Sequence, residues 1–320
     1  MVQSSRMCRQ LRQWLRTGAF VAILLAVARP DIWAAETAGA RLFKSPKAAA
    51  DALLAAAARE ETSDLLAILG PEGKDVVFSG DETADRAARK KFLQEAGEKM
   101  VLFPRTKTSV FIEVGADEWP FPIPIVKGPK GWFFDTAAGR EELISRRIGR
   151  NELRVIALCE AFVIAERDYA RMGANDAGSG VYAQKLRSSE GKRDGLYWPA
   201  KAGEPESPLG PLAAEAAGEG YQPRPSESGP RPFHGYFFKI LTAQGESAPG
   251  GAKNYVADGK MTGGFALVAW PAEYRVSGVK TFVVNQTGIV FEKDLGQKTA
   301  DIAGTMAQFN PDITWNPAKP

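Results

Sequence analysis

The segment GGFALVAWPAEY, Gly263 to Tyr274, carries an unbroken apolar run up to Trp270-Pro271 and then turns polar and aromatic. A run this short and this apolar reads as a strand buried on both faces. Phe265 to Ala269 are expected to form a central strand, with Gly263-Gly264 letting neighbouring backbone close in. Trp270 to Tyr274 are left as a candidate surface. Similar strand segments lie around it: HGYFFKILTAQG (234–245), VKTFVVNQTG (279–288) and IVFEKDLG (289–296). Gly and Asn turns separate them, which predicts an antiparallel meander.

Upstream, Asn151 to Met172 places Leu153, Ile156, Cys159, Val163 and Tyr169 close to one helical stripe, so a long helix is expected beneath the meander. A break or kink near Gly149 is expected to separate it from AAGREELISRRI, and this sets a boundary between a domain over 41–150 and one over 151–320. The stretch from about 195 to 230 is rich in Pro, Gly, Ser and Glu and reads as an irregular insertion, with Tyr197 and Trp198 packed back on the domain. In the first domain, Ser45-Pro46 opens a helix, SDLLAIL forms a second that stops before Gly70-Pro71, and 81–100 form a charged third. Strands follow at 108–115, 121–128 and 131–136, with a hairpin tip at Gly128 to Gly131. The fold class is α+β: N-terminal helices with a small antiparallel meander, then a long helix packed on a second one.

The first 35 residues read as a signal peptide. Arg6, Arg9, Arg12 and Arg16 precede an apolar stretch, Gly18 to Ala28, that is too short to span a bilayer, and small residues then offer cleavage sites. Export places the chain in the periplasm or outside the cell. Cleavage removes five of the 41 Lys+Arg and one of the 38 Asp+Glu, so the net charge of +3 becomes −1. No footprint for nucleic acid or an anionic membrane remains, and no stable membrane span is expected. Cys159 is left without a partner for a disulfide.

Little in the sequence carries chemistry. One His and the one Cys left after cleavage cannot build a zinc site, phosphate-binding loops are absent, and no cofactor is expected. Asp258, Glu292 and Asp294 could supply oxygen ligands to a calcium site at loops of the meander, but they read as solvated turn carboxylates. Ser189-Glu190-Gly191-Lys192 matches Ser-x-x-Lys, where Lys serves as the base, but in a polar, Gly-containing stretch. The acidic pairs Glu60-Glu61 and Glu141-Glu142 diverge by about 100° around a helix. His234 is the only candidate catalytic residue, and a partner nucleophile for it is missing from the sequence. The candidate binding residues are Tyr197, Trp198, Tyr236, Trp270 and Tyr274, weighed against a packing role.

Several stretches carry a resemblance. RRIGRNEL (146–153), YAQK (182–185), GLYWP (195–199), SPLGPL (207–212), HGYFFKILTAQG, APGGAKNYVADGKMTGGFALVAWPAEY (248–274) and TFVVN (281–285) are similar to an exported bacterial family catalogued as domain of unknown function 2950. That family brings no activity. AERDYARMG (165–173), Gly235 to Phe238, Phe265 to Pro271 and TFVVNQTGIVFEKDLG (281–296) resemble the globular head of type IV pilins and pseudopilins. The pilin processing site and unbroken hydrophobic stem are missing, so polymerisation is not expected.

The expected function is binding or scaffolding in the cell envelope, with an envelope protein as partner. One rival is an envelope hydrolase with a site between the two halves, using His234; it requires a Ser or carboxylate within hydrogen-bond reach in a cleft. Another is small-ligand binding by the first domain, resembling the cones of nuclear-transport-factor-like domains, which requires a deep apolar pocket between its helices and strands.

Overall fold

Ser45 opens helix α1 (Pro46–Ala58): its hydroxyl accepts the Ala48 N–H at 3.1 Å, and Pro46, which has no N–H to lose, takes the first turn. The computed structural model describes residues 39–319 except 60, 174–177, 202 and 223–229. The expected signal peptide and Glu60 lie outside the described residues. Helix α2 (Thr62–Leu69) stops at Gly70, whose φ of 73° suits glycine, and a 3-10 turn leads into α3 (Lys74–Val77). Helix α4 (Glu82–Glu98) buries almost none of its charged surface.

An antiparallel sheet of order β1-β2-β3-β4 follows: β1 (Met100–Thr106), β2 (Ser109–Val114), β3 (Trp119–Gly128) and β4 (Gly131–Phe134). β1 was not expected. It begins where the charged helix was expected to end, and its largely exposed pattern buries no position.

Asp135 caps helix α5 (Thr136–Met172), a single run of 37 residues, about 55 Å at 1.5 Å per residue. The expected break at Gly149 does not occur. A helical glycine costs only about 1 kcal/mol relative to Ala, and the residues around it are tied down on both sides. Gly149 is exposed with open space around it, so Gly149→Ala should raise stability by about 1 kcal/mol, read as a rise in the denaturation midpoint. Gly139 behaves oppositely. A Cβ there would sit 2.5 Å from the backbone N of Ile123 and closer still to the Pro122 carbonyl, because α5 rests directly on β3. Gly139→Ala must push the helix off the sheet and should cost about 3 kcal/mol, seen as a lower melting temperature with the fold retained.

Part of the Pro/Gly-rich stretch forms helix α6 (Gly210–Gly218) rather than irregular chain, because PLAAEAA is a local run of good helix formers. The second sheet has the order β14-β12-β11-β10-β5 and is antiparallel throughout: β5 (Tyr236–Leu241), β10 (Ala266–Pro271), β11 (Lys280–Asn285), β12 (Val290–Asp294) and β14 (Asn316–Pro317). Small pairs complete it. β6 (Ala243–Gln244) joins β7 (Lys253–Asn254) and, in parallel, β13 (Gln308–Phe309), while β8 (Val256–Ala257) and β9 (Lys260–Met261) form a hairpin. The last helix, α7 (Thr299–Thr305), packs near β10.

β10 is buried at every position, in line with its apolar run. The second half of α5 lies against β10 and β11, and Phe162 meets Phe265 edge to face at 5.7 Å. Two cores result, one around Ile112, Ile123 and Phe134, the other around Phe162, Phe265 and Phe282, and α5 is common to both layers. The described residues form one compact unit.

Candidate functional site

Buried polar side chains concentrate where the first sheet's helices meet the second sheet. Asp81, 2% exposed, caps α4 by accepting the Ala84 N–H at 3.1 Å on Oδ1. Its Oδ2 accepts the Tyr221 hydroxyl at 2.8 Å and the Gly235 N–H at 2.9 Å. His234 (φ 50°) and Gly235 (φ 77°) are both left-handed, so two successive N–H groups form an anion-holding concavity. The protein fills it itself, with the Asp81 carboxylate and with the Tyr221 oxygen, which accepts the His234 N–H at 3.1 Å. Beside it the Ser79 N–H donates to Asp85 at 2.9 Å; burial raises the Asp85 carboxyl above its usual range and the Ser79 hydrogen bonds oppose the rise.

The middle of α5 clamps both halves. Arg147 donates to the carbonyls of Asp75 (2.7 Å) and Val76 (2.6 Å) on one side. On the other, Asn151 donates to Ser277 O at 2.9 Å, and Glu152 Oε1 accepts the N–H groups of Val279 and Lys280, both at 2.9 Å. The RRIGRNEL stretch is therefore a fastening, with Arg147, Asn151 and Glu152 spent on backbone.

His234 sits at this junction, packed on Phe233 and Tyr221. Glu219 Oε2 lies 3.1 Å from Nε2, yet out of line with a hydrogen bond, and Nε2 has no hydrogen-bond partner. Burial, with help from Arg154, pulls the imidazole down to about 4, so it is neutral at pH 7. Nearby serines are already engaged: Ser277 Oγ donates to Glu273 O at 3.1 Å, and Ser79 Oγ accepts the Asp81 N–H at 3.3 Å.

A cleft of about 290 Å³ opens beside the C-terminal end of α5. Tyr169, Val181 and Tyr182 make its floor, and Gln184, Lys185 and Asp194 face Gly259 and Lys260 of the β8–β9 hairpin across it. The hairpin is pinned, since Gln184 Nε2 donates to Gly259 O and Tyr182 N to Met261 O, both at 2.8 Å. Lys185 Nζ donates to Ser189 Oγ at 2.8 Å and Asp194 Oδ2 at 2.7 Å; Asp194 Oδ1 takes the Ser189 N–H at 2.7 Å. Partial burial works against the charge on Asp194, but the bonds from Lys185 and Ser189 prevail and hold it at about 2. Ser189 thus meets Lys185, four residues before it, rather than Lys192 of the Ser-x-x-Lys match.

Beneath this wall lies Glu166, fully buried in α5. Its Oε2 accepts the Ala183 N–H at 2.9 Å and its Oε1 has no partner. Burial pushes the carboxyl up to about 8, so it is largely protonated at pH 7.

The five aromatic candidates are scattered. Tyr236 is fully buried, donating to Lys280 O at 3.0 Å; Trp270 stacks on Phe237; Trp198 is buried against Tyr169, whose ring forms part of the cleft floor. Tyr197 is half-buried in a backbone pairing with Arg187, and Tyr274 is half-buried with its hydroxyl on Asp294 at 3.0 Å. The space sought between the first domain's helices and strands is filled by Leu53, Ile68, Ile112, Ile123, Ile125 and Phe134, each at most 3% exposed. Among the described residues no cluster of three or more His, Cys, Asp or Glu is placed to hold a metal ion, and no helix is long and apolar enough to cross a membrane.

Asp81 and the cleft residues escaped the sequence reading. Asp81 resembles any helix cap, and Lys185, Asp194 and Lys260 are brought together only by the tertiary fold. Comparison with known proteins adds one result: the model of the family described as "Protein of unknown function (DUF2950)" matches residues 40–318, and the chain belongs to that family. No curated protein and no solved structure matches it.

Proposed function

We propose that this member of the family is an exported binding module of the cell envelope, periplasmic or secreted, that recognises its partner through the cleft of its second half. One observation carries the reading: the buried polar groups at the junction are largely engaged in holding the two halves together, whereas at the cleft charged side chains meet solvent over an aromatic floor. A pilin-like head is supported by α5 lying under an antiparallel sheet, while α7 and the parallel β6–β13 pair are additions to that plan. Hydrolysis through His234 is disfavoured by an imidazole at about 4 whose Nε2 is unpartnered.

The test is photo-crosslinking of the full chain in envelope preparations, with the reactive residue replacing exposed Ala257 beside the cleft or exposed Thr106 on the first sheet. Adducts at 257 and none at 106 are expected. Equal labelling, or none at either position, overturns the reading.

A further inference from the structure

Most of the second half of α5 is covered, and what stays exposed is regularly spaced. From Arg150 to Ile164 the exposed positions are Arg150, Leu153, Ala157, Glu160 and Ile164, and every position between them is buried or half-buried. Intervals alternating between three and four are those by which one helix presents a straight seam to another. The seam is not a purely polar, solvated face: Leu153 is 55% exposed and Ile164 58%, with the small side chain of Ala157 between them. The other charges beside it are met within the chain. Arg154 pairs with Glu215 and Glu219, Arg171 pairs with Asp168, and Arg167 donates to Gln286 O at 2.9 Å. Arg150 and Glu160 have no ion pair or hydrogen bond among the described residues, and the charge that acts on Arg150 is the like charge of Arg146.

These leftovers select one way of laying the seam on itself. Two antiparallel copies can be set so that Arg150 faces Glu160 of the second copy, Leu153 faces Ala157, and Ile164 faces the stem of Arg146, which is held over the Trp119 ring at 5.3 Å. Each contact then recurs with the copies exchanged, as a two-fold interface requires. The large Leu153 lies on the small Ala157, so the helix axes can approach to about 8–10 Å. Sliding one copy by a heptad sets Leu153 on Ile164 but puts Arg150 opposite Arg167 and Arg146 opposite Arg171. A parallel pairing sets Arg150 on Arg150 and Glu160 on Glu160. Both are opposed by like charges.

We infer that the exposed seam of α5 is the interface of a two-fold homodimer, in which antiparallel copies of the helix join through Leu153, Ala157 and Ile164 and through reciprocal Arg150–Glu160 ion pairs. The contact runs from Arg146 to Ile164, about 27 Å of helix. A single helix pair of that length lies at the low end of interface sizes, so the association is reversible with Kd in the micromolar range. None of these residues lines the cleft, so dimerisation and recognition through the cleft are separable.

Sedimentation velocity of the full chain, from micromolar to submillimolar concentration, reads the equilibrium, and one reversible transition from monomer to dimer is expected. Arg150→Glu and Glu160→Arg should each raise the dimer Kd about ten-fold or more, because each sets like charges opposite one another twice in the dimer. Combining them restores both ion pairs with the signs exchanged and should bring Kd back to within about three-fold of the parent's. Leu153→Gln should weaken the dimer about ten-fold. All three side chains are exposed, so melting temperatures of the monomers should be unchanged. A chain that stays monomeric throughout, or a dimer indifferent to Arg150→Glu and Leu153→Gln, overturns the inference. So does a double variant that dimerises no better than the two single variants, since the two residues then do not face each other. A photo-reactive residue in place of Ala157 should give a crosslinked homodimer; an adduct with a different protein in envelope preparations, and no homodimer, overturns the self-contact. Crosslinking at 257 judges the cleft separately and should be the same in the parent and in Arg150→Glu.

Discussion

Asp81→Ala is expected to destabilise the protein by about 4 kcal/mol and to lower its melting temperature by roughly 10 °C. The side chain is buried and serves three donors from three places: Ala84 in α4, Tyr221 after α6, and Gly235 before β5. Its removal leaves a helix uncapped and at least two donors facing no acceptor, each a desolvation cost of about 1–3 kcal/mol. Tyr221→Phe removes one of the bonds and one of the donors together, so about 1 kcal/mol is expected there. Asp81→Asn keeps the shape but turns one acceptor into a donor aimed at other donors, and should recover less than half of the loss. Chemical denaturation of the three variants measures the series. An Asp81→Ala protein melting within about 2 °C of the parent would show that the junction does not depend on this carboxylate.

Glu166→Gln should change how stability depends on pH by about 4 kcal/mol between pH 5 and pH 8. The sign follows from proton uptake. The Glu166 carboxyl titrates near 8 when folded and near 4.5 when unfolded, so folding takes up a proton between these values. Its contribution is complete below about 4.5 and is lost as pH rises toward 8, at about 1.4 kcal/mol per pH unit. His234 works the other way: with a folded value of about 4 against 6.5, its contribution is complete above 6.5 and is lost as pH falls toward 4. Between about 4.5 and 6.5 the two slopes cancel, and above 6.5 Glu166 alone remains. Glutamine retains an acceptor for the Ala183 N–H and is always neutral, so the variant should gain on the parent steadily from pH 5 to pH 8. Urea midpoints at four pH values measure that difference, in which all other groups cancel. A difference independent of pH would mean that Glu166 is ionised in the fold.

The sequence made the α+β class legible because its two signals are strong there. Apolar runs between Gly and Asn turns mark β5, β10, β11 and β12, and Ser45-Pro46 marks the start of α1. What it hid has physical causes. β1 is largely exposed and buries no position; α7 and β13 are too short for periodicity to register. Gly149 reads locally as a breaker, yet fastenings by Arg147, Asn151 and Glu152 outweigh a propensity cost of about 1 kcal/mol. The site was less legible still. Aromatic residues attracted attention, but three of the five are buried in the second half of the chain, and the cleft is made of ordinary lysines and an aspartate from stretches far apart in sequence.

Helix α5 also imposes an order in time. A chain made from its N-terminus can close the first core once Leu143 has emerged, since the other residues of that core all precede it. The second half of the helix is complete at Met172, but β10 and β11, which cover Phe162 and Val163, end only at Asn285. At synthesis rates of about 5–20 residues per second that is an interval of roughly ten seconds. During it a rod anchored in a finished layer presents a bare apolar stripe to its surroundings. The yield of this protein should therefore depend on whatever shields residues 155–170 through that interval, more than on the stability of either finished core.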